Sequence, residues 1–145
     1  MDHTTPATTL TFLGTGAAVP EPGNPVPALS LRITDARTGA DFGLSGDTAF
    51  EPALAAFFSG TSLLVHESSH GPRTVSPDQN PYLHSSAADA ARIAQMAGVR
   101  RLYLVHGSPA DAAGSLEVAR AIFPDTDLVP VGQSVTVASS GGGPR

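Results

Sequence analysis

With 145 residues, 41% of them hydrophobic, the chain has the size and composition of one globular domain, able to bury roughly 68–70% of its unfolded surface. The net charge is −5 and the eight basic residues are all arginine, which excludes the extended basic surface of a strong nucleic-acid binder. No cysteine is present, so disulfides and thiolate metal sites are excluded and any metal must rest on histidine and carboxylate.

The opening residues 1–7 are polar and are expected to be a disordered tail, as is the Ser-Gly-rich stretch 139–145. Residues Thr8–Leu13 alternate as a strand does, and Gly14-Thr15-Gly16 ends it in a turn. Glu21-Pro22-Gly23-Asn24-Pro25 is loop chemistry. A second strand is expected over Pro27–Thr34, with Arg32 on the outer face. A hairpin turn at Thr38-Gly39-Ala40 should lead into a short strand at Asp41–Leu44. Residues 50–58 predict a helix with Pro52 in its first turn, where a missing N–H costs little. Ser62–Val65 reads as a buried strand. The proline-punctuated stretch from His70 to Leu83 reads as a long irregular loop, and loops of that length are often functional.

The clearest helix is Ala87–Ala97. Ser86 is placed as its N-cap, with Asp89 three residues later in a near capping box, and Gly98 follows the last turn; Ala90, Ile93, Ala94 and Ala97 form one apolar stripe. Leu102–Val105 follows as a buried strand, then a helix from Gly114 to Phe123 that stops before Pro124. Short strands are expected at Asp127–Val129 and Ser134–Val137. From residue 41 onward strands alternate with helices, which implies an α/β fold: a mixed sheet with helices packed on it.

Three polar residues stand where such a fold builds sites. Asp47 follows the strand ending at Leu44, His106 follows the strand Leu102–Val105, and His84 precedes a helix start. The carboxyl ends of parallel strands share one edge, so these residues are expected to converge. Asp47 could be a turn residue or a carboxylate ligand able to bridge two cations, and His106 a structural histidine or a ligand. His84 could be a hydrogen-bonded loop residue, a ligand, or a general acid once a phosphate brings negative charge. His66-Glu67 closes another strand at the same edge. Neighbouring strand residues point to opposite faces, so one of the pair faces the site, and Glu67 orienting His84 is the sensible arrangement. His3 and His70 are given no role.

These strings together resemble a family. Thr11-Phe12-Leu13-Gly14-Thr15-Gly16-Ala17-Ala18-Val19-Pro20 is similar to the opening strand and turn of ribonuclease Z-like proteins of the metallo-β-lactamase fold. Val26 to Ile33, then Leu44-Ser45-Gly46-Asp47-Thr48, resemble the approach to that family's metal-bridging aspartate. Leu63 to Ser69 resembles its strand ending in His-Glu. His84-Ser85-Ser86 resembles the loop whose histidine protonates the leaving group, and Leu102 to His106 the strand delivering the last histidine ligand. The resemblance covers residues 10–20 and about 26–137. It implies an αββα sandwich, Asp47 and His106 as metal ligands, His84 and Glu67 as catalytic residues, and zinc, with manganese the second candidate. It further implies metal-assisted hydrolysis of a phosphodiester, either RNA or a small cyclic or ester phosphate.

The chain also departs from the pattern. The family's His-x-His-x-Asp-His motif and a further lone histidine belong between the opening strand and the aspartate strand, where here only Glu21 to Pro25 intervenes. The expected molecule is therefore a single truncated, partial sandwich over residues 1–145. Its metal site is weak or partial, and the apolar sheet face (Leu10, Phe12, Leu29, Leu31, Leu63, Val65) is left to be covered, most simply by a homodimer. Two other readings stand beside impaired hydrolysis. One is a non-catalytic remnant that folds or dimerises and binds metal weakly. The other is a phosphate- or nucleotide-binding module using the Gly14–Gly16 turn. No segment reaches the ~18 apolar residues of a membrane span and the N-terminus lacks signal-peptide character, so the expected location is the cytoplasm without membrane contact.

Overall fold

The computed structural model describes residues 8–13, the latter by backbone only, 29–129, 132 and 134–137. The tails, the Gly14–Gly16 turn and the Glu21–Pro25 loop expected from sequence lie outside these residues. Six strands form one sheet in chain order: β1 (Thr8–Leu13), β2 (Ser30–Asp35), β3 (Asp41–Leu44), β4 (Leu63–Glu67), β5 (Leu102–Val105) and β6 (Thr126–Leu128). The β1–β2 and β2–β3 pairs are antiparallel, and β3 to β6 are parallel. Three helices, α1 (Ala53–Phe57), α2 (Ala87–Ala97) and α3 (Ala112–Ile122), fill the crossovers of the parallel half. The sheet is mixed and the class α/β.

The crossovers put the helices on one face, as right-handed connections between neighbouring parallel strands require. That face holds the core: Leu64, Leu102 and Leu104 from the sheet meet Leu54 and Phe58 of the α1 region, Ile93 with the alanines of α2, and Ala119 of α3. The small side chains let α2 sit close to α1, α3, β4 and β5. Its ends are specified locally. Ser86 Oγ accepts from the Asp89 N–H at 3.1 Å, Asp89 Oδ2 accepts from the Ser86 N–H at 3.1 Å, and Gly98 closes the helix at φ +62°. Gly43 on β3 lies under Phe58 so tightly that a Cβ there would come within 2.4 Å of the ring.

Three expectations need correction. The second strand spans Ser30–Asp35, starting later than the expected Pro27, while β4 (Leu63–Glu67) ends in His66-Glu67 as expected. Residues 134–137 are not a strand. Arg32 is not turned outward: register places it on the helix face beside Gly43, where Nη1 donates to the carbonyls of Phe57 and Ser59 at the end of α1, and Nε and Nη2 hold Asp41 at 3.1 and 2.5 Å. Cation and helix C-terminus are a favourable match, which a strand period alone does not reveal. The opposite sheet face is also less open than expected. Leu29 is exposed, but Leu31 and Val65 are half-buried and Leu63 is buried; the side chains of Leu10 and Phe12 lie outside the described residues.

Candidate metal and hydrolytic site

The carboxyl ends of β3, β4 and β5 deliver Asp47, Glu67 and His106 to one edge, and the loop before α2 brings His84 over them. Asp47 sits just past Gly46, whose φ of +62° makes the turn. The loop is anchored beneath: Ser30 Oγ donates to the Ser45 carbonyl at 2.6 Å, Ser45 Oγ accepts from the Glu67 N–H at 3.0 Å, and Ser85 Oγ donates to the Thr48 carbonyl at 2.6 Å. All three serines are buried. Asp47 itself projects outward with about half its side chain exposed.

Glu67 is the hub. It is 1% exposed, and its Oε1 accepts from Thr48 N (3.0 Å), Ser85 N (2.8 Å) and His84 Nδ1 (3.1 Å). Its Oε2 accepts from Ser69 N and Ser69 Oγ, both at 2.9 Å. With five donors converging, the carboxylate acts purely as an acceptor, which is how a buried charge is made tolerable.

The same donors settle the tautomers. Glu67 can only accept, so His84 carries its proton on Nδ1. His106 Nδ1 lies 2.9 Å from Asp47 Oδ1 and by the same reasoning donates to it. Ser69 Oγ spends its hydrogen on Glu67 and accepts from both imidazoles, each at 3.2 Å. Both Nε2 atoms are thereby left as lone-pair donors, the usual outcome when a carboxylate orients a ligating histidine. The two rings meet edge to face with centroids 5.3 Å apart.

One ligand-type atom from each of Asp47, His84 and His106 can be chosen with all three within 4.8 Å. Two bonds of 2.0–2.2 Å to a common cation span at most about 4.4 Å, so a modest rotation closes the set. Asp47 and His106, each about half exposed at the side chain, are free to make it. One carboxylate and two imidazoles form a zinc-type donor set with an open position, so the residues present fit a divalent cation.

Backbone strain gathers here as well. Among the described residues, those other than glycine with positive φ are Leu83 (+55°) and His106 (+57°), one next to His84 and the other in the site. Such conformations persist where the surroundings over-determine them. For Leu83 the brace is Asn80: its Oδ1 accepts from the His84 N–H at 2.9 Å and from His70 Nε2 at 3.0 Å, while its Nδ2 donates to the His84 carbonyl at 2.7 Å.

The structure thus brings together all four residues singled out from sequence. Sequence reasoning missed Ser69 and Asn80, and gave His70 no role. Ser69 carried a weak signal, its place two residues beyond Glu67; Asn80 carried none, since its partners depend on how the loop folds back. His66 turns the other way, into the core under α2, fully buried; its Nδ1 bonds the Glu67 carbonyl at 2.9 Å and its Nε2 has no partner.

The fold and this edge site define a class of protein. The metallo-β-lactamase fold protein YhfI from Bacillus subtilis superposes with a TM-score of 0.63 over 82% of this chain and 45% of that one, at 24% identity. Human tRNase Z, short form, superposes with a TM-score of 0.55 over 77% and 39%, at 17% identity. The chain has the metallo-β-lactamase fold, in part.

Sequence relatives narrow this. Ribonuclease Z of Bacteroides fragilis is 40% identical over 84 residues, 57% of this chain and 27% of the relative. Ribonuclease Z of Trichodesmium erythraeum is 37% identical over 99 residues, 62% and 30%. An uncharacterized protein of Mycobacterium tuberculosis, Rv1339, is 38% identical over 86 residues, 59% and 30%. No protein-family model matches the chain. Over part of its length the chain is therefore similar to ribonuclease Z proteins, and the match spans about three tenths of the length of these curated relatives.

Proposed function

We propose that this chain is a metal-dependent hydrolase of the phosphodiesterase type, working at the edge built by Asp47, Glu67, His84 and His106 on RNA or a small cyclic or ester phosphate. The single observation that carries the reading is the convergence of Asp47, His84 and His106 with the Glu67 carboxylate holding His84 from behind. Asp47 and His106 are the ligands, for zinc or, second, manganese. Such a cation, when bound, polarises a phosphoryl oxygen and offsets developing negative charge.

His84 then acts on the leaving group. With Nδ1–H held by Glu67, its Nε2 can carry a proton to the departing oxygen, and Glu67 stabilises the imidazolium form needed for that step. Ser69 keeps the two imidazoles at a fixed mutual angle, and Asn80 fixes the backbone on which His84 rides.

The donor set also favours a weaker role. Among the described residues this cluster offers three ligand-type residues, one of which the mechanism needs for proton transfer. Two remaining ligands make a weak site. The second reading is accordingly a truncated, non-catalytic remnant that binds metal weakly, with a homodimer closing the second sheet face. In either reading we place the protein in the cytoplasm; no helix among the described residues is long and apolar enough to cross a membrane.

Metal content per chain and turnover of bis(p-nitrophenyl) phosphate separate the two. The expected result is zinc or manganese binding of micromolar strength or weaker, on the order of −8 kcal/mol, lost in Asp47→Ala. Trace turnover should accompany it, falling by about 10²-fold or more in Glu67→Gln as general-acid catalysis is removed. Metal binding without turnover supports the remnant. No metal binding at all, or binding indifferent to Asp47→Ala, overturns both.

A further inference from the structure

A cavity of about 360 Å³ opens beside His106, between the carboxyl ends of β5 and β6 and the start of α3. Val105, Pro109, Ala112, Leu128 and Val129 form apolar walls, and Ser115 contributes a hydroxyl. Among the described residues no aspartate, glutamate, arginine or lysine lines it, and His106 is the one titratable residue in the lining. Its size lies at the small end of ligand pockets, which run from about 300 to 1,000 Å³.

Three features point to what enters. His106 belongs both to the cavity and to the hydrogen-bonded site with Asp47, so a molecule whose phosphate sits at the site has its substituent at the cavity mouth. The described wall residues include no lysine or arginine, which disfavours a second phosphate and favours an uncharged group. Finally, Ser115, 3% exposed, places a hydroxyl-bearing side chain in the lining. A hydroxyl can both donate and accept, so it offers a polar contact within otherwise apolar walls.

We propose that the cavity is a substrate subsite that takes an uncharged, ring-bearing group esterified to the phosphate held at Asp47, His84 and His106. This rests on the phosphoester reading of that site. Specificity then resides in the ester substituent: an aromatic ring gains the contacts of the apolar walls, and a polar ring atom gains Ser115, whereas a short alkyl group gains neither.

The test is a titration of the intact chain with phenyl phosphate, methyl phosphate and phenol, with and without zinc, followed by nuclear magnetic resonance of backbone amides and methyl groups. Phenyl phosphate is expected to shift Val105, Ala112 and Val129 together with His106, and methyl phosphate to shift His106 without the cavity methyls. Ala112→Leu, which fills the cavity at the start of α3, should weaken phenyl phosphate by about tenfold or more and leave methyl phosphate nearly unchanged. Val129→Phe, at a more exposed wall position, should do the same and covers the case in which Ala112→Leu does not fold. If methyl phosphate engages His106 but the two variants bind phenyl phosphate as well as the parent does, the subsite is wrong and the phosphoester reading stands. If phenol alone shifts the cavity methyls while neither phosphate touches His106, the cavity is an apolar pocket unrelated to a phosphoester site, and both fail.

Discussion

At the scale of single residues, the adjacent pair His66 and Glu67 shows how one strand serves two purposes. Strand alternation sends His66 into the core and Glu67 to the site, and each is fully buried. Glu67 is satisfied five times over; His66 is not. Burial holds the His66 imidazole below the ordinary histidine range, opposed by its bond to the Glu67 carbonyl and by the charges of Glu67 and Asp89. The folded protein therefore keeps this ring neutral while the unfolded chain takes up a proton near pH 6.5. The stability it contributes is complete above that pH and is lost as pH falls toward the lower folded value. Urea unfolding of the parent between pH 7 and 5 should show the decline, with at most about 1.4 kcal/mol per pH unit from this one proton. In His66→Leu the slope should flatten by up to one proton; an unchanged slope would mean that His66 is already protonated in the fold.

At the scale of elements, the contact between β3 and the end of α1 sets how close the helix layer comes to the sheet. Gly43 is buried directly beneath Phe58, which is fully buried itself and packs edge to face on Phe57 with centroids 4.9 Å apart. Arg32 binds the carbonyls at the same helix end from the neighbouring strand. Because β3 leads directly to Gly46 and Asp47, a displacement here is transmitted to the site. Gly43→Ala should cost about 1–3 kcal/mol through overpacking, read as a lower denaturation midpoint with an unchanged m-value. A neutral result would show that Phe58 can swing aside without loss.

At the scale of the molecule, one sheet face carries the helices and the other carries Leu31, Ile33, Phe42, Leu44, Val65 and Val105, all half-buried, together with buried Leu63 and Tyr103. In the αββα architecture implied by the resemblance, a second sheet covers such a face. Light scattering is expected to give a particle of about twice the 14.7 kDa chain mass, paired through this face by a two-fold axis. A strictly monomeric, cooperatively unfolding species that binds no apolar dye would show that the chain closes the face itself. The segment at Val135 and Thr136, which shares a small cavity with Leu63, is where that closure would begin.

What the amino-acid sequence determined by itself is whatever rests on short-range pattern. α2 spans Ala87–Ala97 because its cap, its apolar stripe and its closing glycine lie within a dozen residues of one another. β5 and β3 have the bounds that their hydrophobic runs define, and Asp47, Glu67 and His106 stand at strand ends because each ends such a run. Tertiary structure alone decided the rest. Ser69 reaches three partners, Asn80 clamps His84 across a loop, Arg32 turns inward to a helix end, and Ser134–Val137 stays out of the sheet. These depend on a partner many residues away, on how an irregular loop folds back, or on which sheet edge is already occupied, and no local period records that.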